Sequence, residues 1–242
     1  MNLIIRGHIR KSFLNDGLYN LIKAIYLKNP TLKIYIHTWC IVQNNISWRK
    51  IEADLTPVTE DLIRGYFKDL SSVIAHIIID SGKKIKLIGN TKGKINGGPM
   101  PIIGWKNYWY GQKRIIDYLD GLYENKHILI VNFRFDILNV HGHPLTPDLV
   151  LGFIELHKKD VFYKNIFMRG RNESGVDNIY IGNLECQNRL ITHFNNNLDE
   201  IISTNEKTIK QEFFVYEENE RLFPVPVLFT RYKKFVEGRV TS

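Results

Sequence analysis

Cysteine is scarce in this sequence of 242 residues, and long apolar runs are missing. The two cysteines, Cys40 and Cys186, form no C-x-x-C pair, which excludes a disulfide framework and a zinc or dithiol site of that kind. The apolar runs are a handful of residues long, against the roughly 20 that a membrane-spanning helix needs. Charged residues follow a short apolar run at the N-terminus, which favours a first strand over a signal peptide. We therefore expect a cytoplasmic protein with reduced thiols, or one docked on a membrane from outside.

Two phosphate-binding motifs and an acidic surplus are also missing. The chain has no G-x-x-x-x-G-K-[ST] and no G-x-G-x-x-G, which argues against Walker-type ATPases and ordinary Rossmann dehydrogenases. Lys and Arg total 33 against 25 Asp and Glu, so the net charge is +8. This excess predicts an anionic partner: nucleic acid, a phosphate-bearing small molecule or an anionic membrane surface.

Short apolar runs alternate with helical patterns along the chain. The patterns predict strands at 3–6, 33–37, 73–79, 127–133, 165–168 and 177–182, and helices at 17–28, 59–70, 147–156, 184–202 and in the second half of 99–126. Less regular patterns predict a fourth strand or hairpin return at 83–88, a loop with a short helical turn at 38–49, and mixed strand and loop at 213–236. The order predicts an α/β fold whose mostly parallel central sheet is flanked by helices. With no linker or repeat, we predict one domain over 1–242, with 203–242 as its C-terminal extension.

Polar residues directly follow four predicted strands, at Arg6–Arg10, His37–Trp39, Asp80–Gly82 and Asn132–Asp136. In open α/β sheets, ligands bind beyond the carboxyl ends of the strands. Four such places on one edge predict a ligand site. The arginines of the first segment indicate phosphate contact, because guanidinium binds phosphate through two hydrogen bonds, or else they are solvated surface charge.

An aromatic cluster occupies six consecutive residues and encloses a lysine; its aromatic members are Trp105, Tyr108, Trp109 and Tyr110. The cluster either plugs the core at the start of a helix or forms a wall for a base or sugar ring. In the second case, Lys106 or Arg114 would lie near a phosphate.

Two isolated acids stand next to apolar strands. Asp136 follows the most apolar strand, where a carboxylate is costly unless it faces a site or caps a turn. With Mg²⁺ or Mn²⁺ it could hold a diphosphate. Asp177 precedes another strand and is either a catalytic carboxylate, an acceptor-binding group or a turn residue. The His141-Gly-His143 segment has no further ligand at metal spacing, so we expect no metal there.

Several strings together resemble a family of small sugar-transferring enzymes. They are RGHIRKSF, IYIHTWCIVQNNISWR, LIGNTKGKINGGPMPIIGWKNYWYG, VNFRFD and GVDNIYIGN, and the resemblance covers about residues 2–202. Members of this family occur in large DNA viruses of algae, where they decorate capsid glycans, and in bacterial capsule and surface-polysaccharide clusters. The resemblance implies a GT-A type glycosyltransferase that uses a nucleotide-diphosphate sugar, commonly a UDP-sugar, with a divalent ion.

The resemblance also implies roles for particular residues. The nucleoside would be held by two loops, represented by Arg6, Gly7, His8, Arg10, His37, Thr38 and Trp39. The donor would lie beside Lys106, Trp109, Tyr110, Arg114 and Arg134. Asp136 would be a catalytic residue and the principal ligand of Mn²⁺ or Mg²⁺, with Asp80 as an alternative ligand. Arg134 stands where such enzymes carry the first acid of an Asp-x-Asp motif. Asp177 would be the catalytic carboxylate on the acceptor side, where a hydroxyl needs a base.

We therefore expect a metal-dependent hexosyl- or deoxyhexosyltransferase that takes a nucleotide sugar and a glycan acceptor, without a nucleic-acid partner. The charge excess also allows peripheral contact with a membrane. One alternative is a basic nucleic-acid-binding protein, although no run of Lys or Arg is longer than two. The other alternative is a catalytically inactive relative that serves as a scaffold. This alternative rests on Arg134, which stands in place of an acid.

Overall fold

The structure is a computed structural model, and it describes residues 1–139, 145–159, 163–169, 178–207, 211–223 and 229–231. Its strands are β1 (Asn2–Arg6), β2 (Lys33–Trp39), β3 (Ile41–Gln43), β4 (Asp54–Pro57), β5 (Ile74–Asp80), β6 (Leu129–Arg134), β7 (Ile166–Arg169), β8 (Ile179–Asn183) and β9 (Phe229–Arg231). Its α-helices are α1 (Gly17–Lys28), α2 (Glu60–Phe67), α3 (Ile102–Leu122), α4 (Pro147–His157), α5 (Leu184–Thr204) and α6 (Gln211–Leu222).

Seven strands form the main sheet, in the order β5-β2-β1-β6-β8-β7-β9. Strands β5, β2, β1 and β6 are parallel neighbours, and β8 runs antiparallel to both β6 and β7. Strand β9 is parallel to β7, so six of the seven strands share one direction. The expectation of an α/β fold with a mostly parallel sheet flanked by helices is confirmed.

The helices cover both faces of the sheet. On one face, α1, α2 and α4 pack against Leu3 and Ile5 of β1 in one apolar cluster. On the other face, α3, α5 and α6 pack against Ile4 of the same strand in a second cluster. The alternation follows from the strand repeat of two residues, and a strand buried on both faces has to be apolar throughout.

Four segments differ from their predicted structure, and the first is the helix predicted in the second half of 99–126, which begins earlier, at Ile102. Residues 83–88 form no strand, and they do not pair with the edge strand β5. The loop predicted at 38–49 instead contains the end of β2 and the strand β3, which pairs with β4 as a small antiparallel sheet. The strand-like run at 213–216 belongs to α6, because Phe214, Val215 and Glu218 are buried on one helical face. In this run, burial of the side chains on a helix outweighs their local preference for a strand.

No helix within the described ranges combines the length and the apolar character that crossing a bilayer requires.

We expect Phe194→Ala to lower the free energy of unfolding by about 3–5 kcal/mol, the usual cost of deleting a buried aromatic ring. The Phe194 ring is fully buried and stacks on Trp109, with 4.2 Å between ring centroids. Urea denaturation followed by tryptophan fluorescence measures the change. Leu27→Ala is the control: that side chain is 71% exposed, and its loss should stay within about 0.5 kcal/mol. Equal losses in the two variants would contradict this description of the core.

Candidate functional site

A cavity of about 560 Å³ opens at the carboxyl ends of β1 and β6. Its walls come from the loop after β1, the end of β2, the segment between β3 and β4, the start of α3 and the residues after β6. This is the edge where open α/β sheets bind ligands, because the strand ends leave a crevice between the loops that follow them.

The strand register brings the residues at this edge together. Arg6, the last residue of β1, lies between His37 of β2 and Arg134 of β6 in the parallel ladders. Gly7 follows with a φ of +91°, a conformation that residues with a Cβ rarely adopt, and its N–H still bonds the carbonyl of His37. The chain therefore turns away from the sheet at once, and the following loop forms a wall of the cavity.

The cavity is strongly cationic. Among the described residues, Asp136 is the one carboxylate in its lining, against six basic side chains: Arg6, Arg10, Lys11, Arg49, Lys50 and Arg134. Clefts lined by one sign of charge concentrate ions of the opposite sign. The cavity is therefore suited to an anion.

Asp136 is the centre of an ion-pair cluster. Arg134 donates from Nε to Oδ1 at 2.8 Å and from Nη2 to Oδ2 at 2.9 Å, and Arg10 donates from Nη1 to Oδ2 at 2.6 Å. Burial raises the pKa of this carboxyl, but the charges and hydrogen bonds of the two arginines outweigh burial and hold its pKa well below the usual range. Asp136 is ionised at neutral pH and fixes both guanidinium groups.

Two aromatic rings hold further arginines at the cavity. The Arg6 guanidinium lies 4.7 Å from the centre of the Tyr108 ring, and its Nε donates to Asn132 at 2.6 Å. The Arg49 guanidinium lies 4.2 Å from the centre of the Trp48 ring, which is itself 51% exposed. Burial, followed by repulsion from Arg10 and Arg134, lowers the pKa of Arg49. The guanidinium groups are therefore close enough to repel one another, and a bound anion would relieve that repulsion.

His8 presents a neutral imidazole to the cavity. Its Nδ1 lies 3.2 Å from the carbonyl oxygen of Ile41. Since a carbonyl only accepts, we assign the proton to Nδ1 and the lone pair to Nε2. Burial is the main cause that lowers the pKa of His8 to about 4, with a smaller contribution from Arg10. Nε2 is buried and has no hydrogen-bond partner among the described residues.

Six of the predicted donor-binding residues line the cavity: Arg6, Gly7, His8, Arg10, Trp39 and Arg134. Asp136, predicted as a metal ligand and catalytic acid, lines it as well. Of the predicted aromatic wall, Tyr108 lines the cavity, while Trp105 borders it from the core, where its buried ring packs on Phe194 and Phe214.

A second group of predicted residues forms a separate cluster beside the cavity. His37 is buried and its Nε2 lies 3.3 Å from Asp80, which also accepts from Nε of Arg114 at 3.1 Å. Burial lowers the pKa of His37, so the neutral ring donates to Asp80, and this hydrogen bond helps to lower the pKa of that carboxyl. Tyr110 packs against Trp39, and the buried Thr38 hydroxyl has no partner in the described structure. His37, Thr38, Asp80, Tyr110 and Arg114 are not lining residues.

Lys106 and Trp109 also lie away from the cavity. Lys106 is buried, bonds the carbonyl of Ile88 and pairs with Asp199 at 2.7 Å. Trp109 packs on Phe194 in the core. Along α3, Trp105 and Trp109 lie on one face, since residues four positions apart are separated by only about 40° around a helix, and both rings pack on Phe194 of α5. Tyr108 lines the cavity.

The described residues do not fit a resident divalent cation. The residues within the described ranges include no cluster of three or more His, Cys, Asp or Glu side chains that could hold one. Both oxygens of Asp136 accept bonds from guanidinium groups, and Asp80 is engaged by His37 and Arg114. A hard cation prefers free carboxylate oxygens. Asp177 and the His141–His143 segment lie outside the described residues.

The segment between β3 and β4 escaped the sequence reasoning. It brings Trp48, Arg49 and Lys50 to the cavity. The signal in the sequence was an aromatic residue directly followed by two cations, between the second predicted strand and the second predicted helix. The apolar residues of this segment have no helical or strand spacing, so only the pairing of β3 with β4 reveals where the segment lies.

No protein-family model matches this chain, and no curated protein has a significant match to it.

We expect the free energy of unfolding to fall as the pH drops from about 6.5, the pKa of an unperturbed His, towards about 4, the pKa of folded His8. In this window the unfolded chain binds a proton that folded His8 excludes, and His37 acts in the same direction. His8→Gln removes one of these contributions, so its stability should decline less steeply. Urea denaturation at a series of pH values measures both slopes, and identical slopes would disprove the assignment for His8.

Proposed function

We propose that the protein is a glycosyltransferase that moves a sugar from a nucleotide-diphosphate donor, such as a UDP-sugar, to a glycan acceptor. The observation that carries the proposal is the cavity at the carboxyl edge of the parallel strands, which the described part of the chain lines with six cations and one carboxylate. A diphosphate supplies the negative charge that such a lining needs, and the resemblance of the sequence to sugar-transferring enzymes supports the same ligand.

The lining offers contacts for each part of such a donor. Arg10 and Arg49 would bind the diphosphate, because guanidinium groups match phosphate oxygens with paired hydrogen bonds. The half-exposed ring of Trp48 would stack on the base, since every base has a π face. The ring of His8, which lines the cavity, would lie beside the sugar.

The reaction follows from this arrangement. The bond between the anomeric carbon and the diphosphate oxygen breaks, and its electron pair leaves with the nucleoside diphosphate. The acceptor oxygen forms the new bond to the anomeric carbon, and its proton passes to a base. The cationic lining stabilises the charge that grows on the departing diphosphate, and fixed charges do this without reorganising. A divalent ion at Asp136 stays a prediction from the resemblance.

We expect UDP to raise the melting temperature of the purified chain, in a comparison with GDP, CMP and dTDP. A nucleotide at about 100 times its dissociation constant stabilises the fold by roughly 2.7 kcal/mol. Arg49→Gln should weaken the shift, because it removes a cavity charge without breaking the Asp136 cluster. Arg64→Gln is the matched control, since Arg64 pairs with Glu60 on the surface of α2 and is not a lining residue. A chain that none of the four nucleotides stabilises would overturn the proposal.

The nucleic-acid alternative makes an opposite prediction. Non-specific binding to a duplex depends steeply on salt and rests on contiguous basic surface. Micromolar or tighter binding of duplex DNA at physiological salt, with no shift from nucleotides, would favour it.

Asp177 stays the predicted carboxylate on the acceptor side, and its role can be tested although it lies outside the described residues. We expect Asp177→Asn to bind UDP like the parent and to lose turnover by about 100-fold or more, the range of a positioned acid–base group. Calorimetric titration and a donor-consumption assay measure the two quantities. Transfer at the parent rate would make the role of Asp177 structural, and absence of turnover in the parent with every donor would favour the inactive scaffold.

A further inference from the structure

The hydrogen bonds that Asp136 already makes leave little room for a divalent cation to hold a diphosphate at the cavity. Asp136 is the one carboxylate in the described lining, and a carboxylate has about four lone-pair positions. Three of these positions accept N–H bonds of 2.6 to 2.9 Å from Arg10 and Arg134. A divalent cation at Asp136 would have to displace these bonds and then sit among guanidinium groups of its own sign.

The guanidinium groups already supply the charge of a divalent cation. Arg10, Arg49 and Arg134 carry three positive charges against the single negative charge of Asp136, which leaves two. Burial, followed by the charges of the other two arginines, lowers the pKa of Arg49. A net charge of +2 from mutually repelling guanidinium groups around a cavity favours the binding of a diphosphate.

Arg10 also has hydrogen-bond donors to offer. Its side chain donates to Asp136 from Nη1, and it is 30% exposed at the cavity that it lines. Arg10 has a φ of +53°, a strained conformation for a residue with a Cβ, and its N–H bonds the carbonyl of Val42. The backbone is thus held in an unfavourable conformation that aims this side chain at Asp136 and the cavity.

We propose that the arginine clamp, defined as Arg10, Arg49 and Arg134 around Asp136, binds the donor diphosphate in place of a divalent cation. This inference rests on the proposed function and replaces the metal site expected from the resemblance. In the clamp, Asp136 is a positioning residue that orients two guanidinium groups. The leaving diphosphate is stabilised by charges that belong to the chain itself, so neither binding nor departure requires an added ion.

The test is calorimetric titration of UDP into the full chain in EDTA and, separately, in excess Mn²⁺. The clamp predicts binding in EDTA, with dissociation constants in the two conditions that differ by less than about tenfold, the factor that 1.4 kcal/mol represents. UMP, with one phosphate fewer, should bind at least about tenfold more weakly than UDP in EDTA.

The outcomes separate the clamp from the proposed function. Binding that needs Mn²⁺, or that Mn²⁺ strengthens by more than tenfold, overturns the clamp and leaves the transferase proposal standing. Absence of UDP binding in both conditions, together with absence of a shift from the other nucleotides, overturns both.

Two variants test the residues of the clamp. Arg10→Gln should weaken UDP binding in EDTA by about tenfold or more, because it removes a charged donor and loosens Asp136. If Arg10→Gln does not fold, Arg49→Gln, which leaves the Asp136 bonds intact, should show the same loss. Arg64→Gln removes one surface charge and should bind like the parent. Parent-like binding by the folded clamp variant would overturn the inference.

Discussion

The cavity depends on the buried carboxylate of Asp136 and the two guanidinium groups that surround it. This cluster ties the loop after β1, through Arg10, to the end of β6, through Arg134, and so joins two neighbouring parallel strands at their carboxyl ends. Breaking a buried ion pair by removing one partner costs about 3–5 kcal/mol, because the remaining charge stays buried. The same cluster that holds the loop therefore sets the charge of the cavity, and structure and ligand preference are coupled at one residue.

A second constraint is the close approach of α3 to β2. A Cβ on Gly111 would lie 2.5 Å from the His37 ring, so this position has room for glycine alone. The approach buries His37 against Asp80 and sets the rotation of α3. Tyr108 lines the cavity, whereas Trp105, Lys106 and Trp109 are buried. The helix thus divides one aromatic cluster between a ligand surface and a core.

The candidate site was predictable in part. A charged residue after an apolar strand is visible in the sequence, and parallel strands end at a common edge, so Arg6, Arg10 and Asp136 could be assigned to one place. Lys106 and Arg114 could not be separated from them, because a cation on an amphipathic helix looks the same whether it faces a ligand, an acid on another element or solvent. Arg49 was not found at all, since its position depends on the short β3–β4 pairing.

The sequence by itself determined the α/β class, the apolar core strands and the edge on which polar residues gather, because strand and helix periods and the net charge are local properties. The tertiary structure decided which of those polar residues share a cavity. It also decided that Asp136 bonds Arg10, since Arg10 lies in the loop after β1 and Asp136 just after β6, more than a hundred residues away along the chain, and only the pairing of β1 with β6 makes them neighbours.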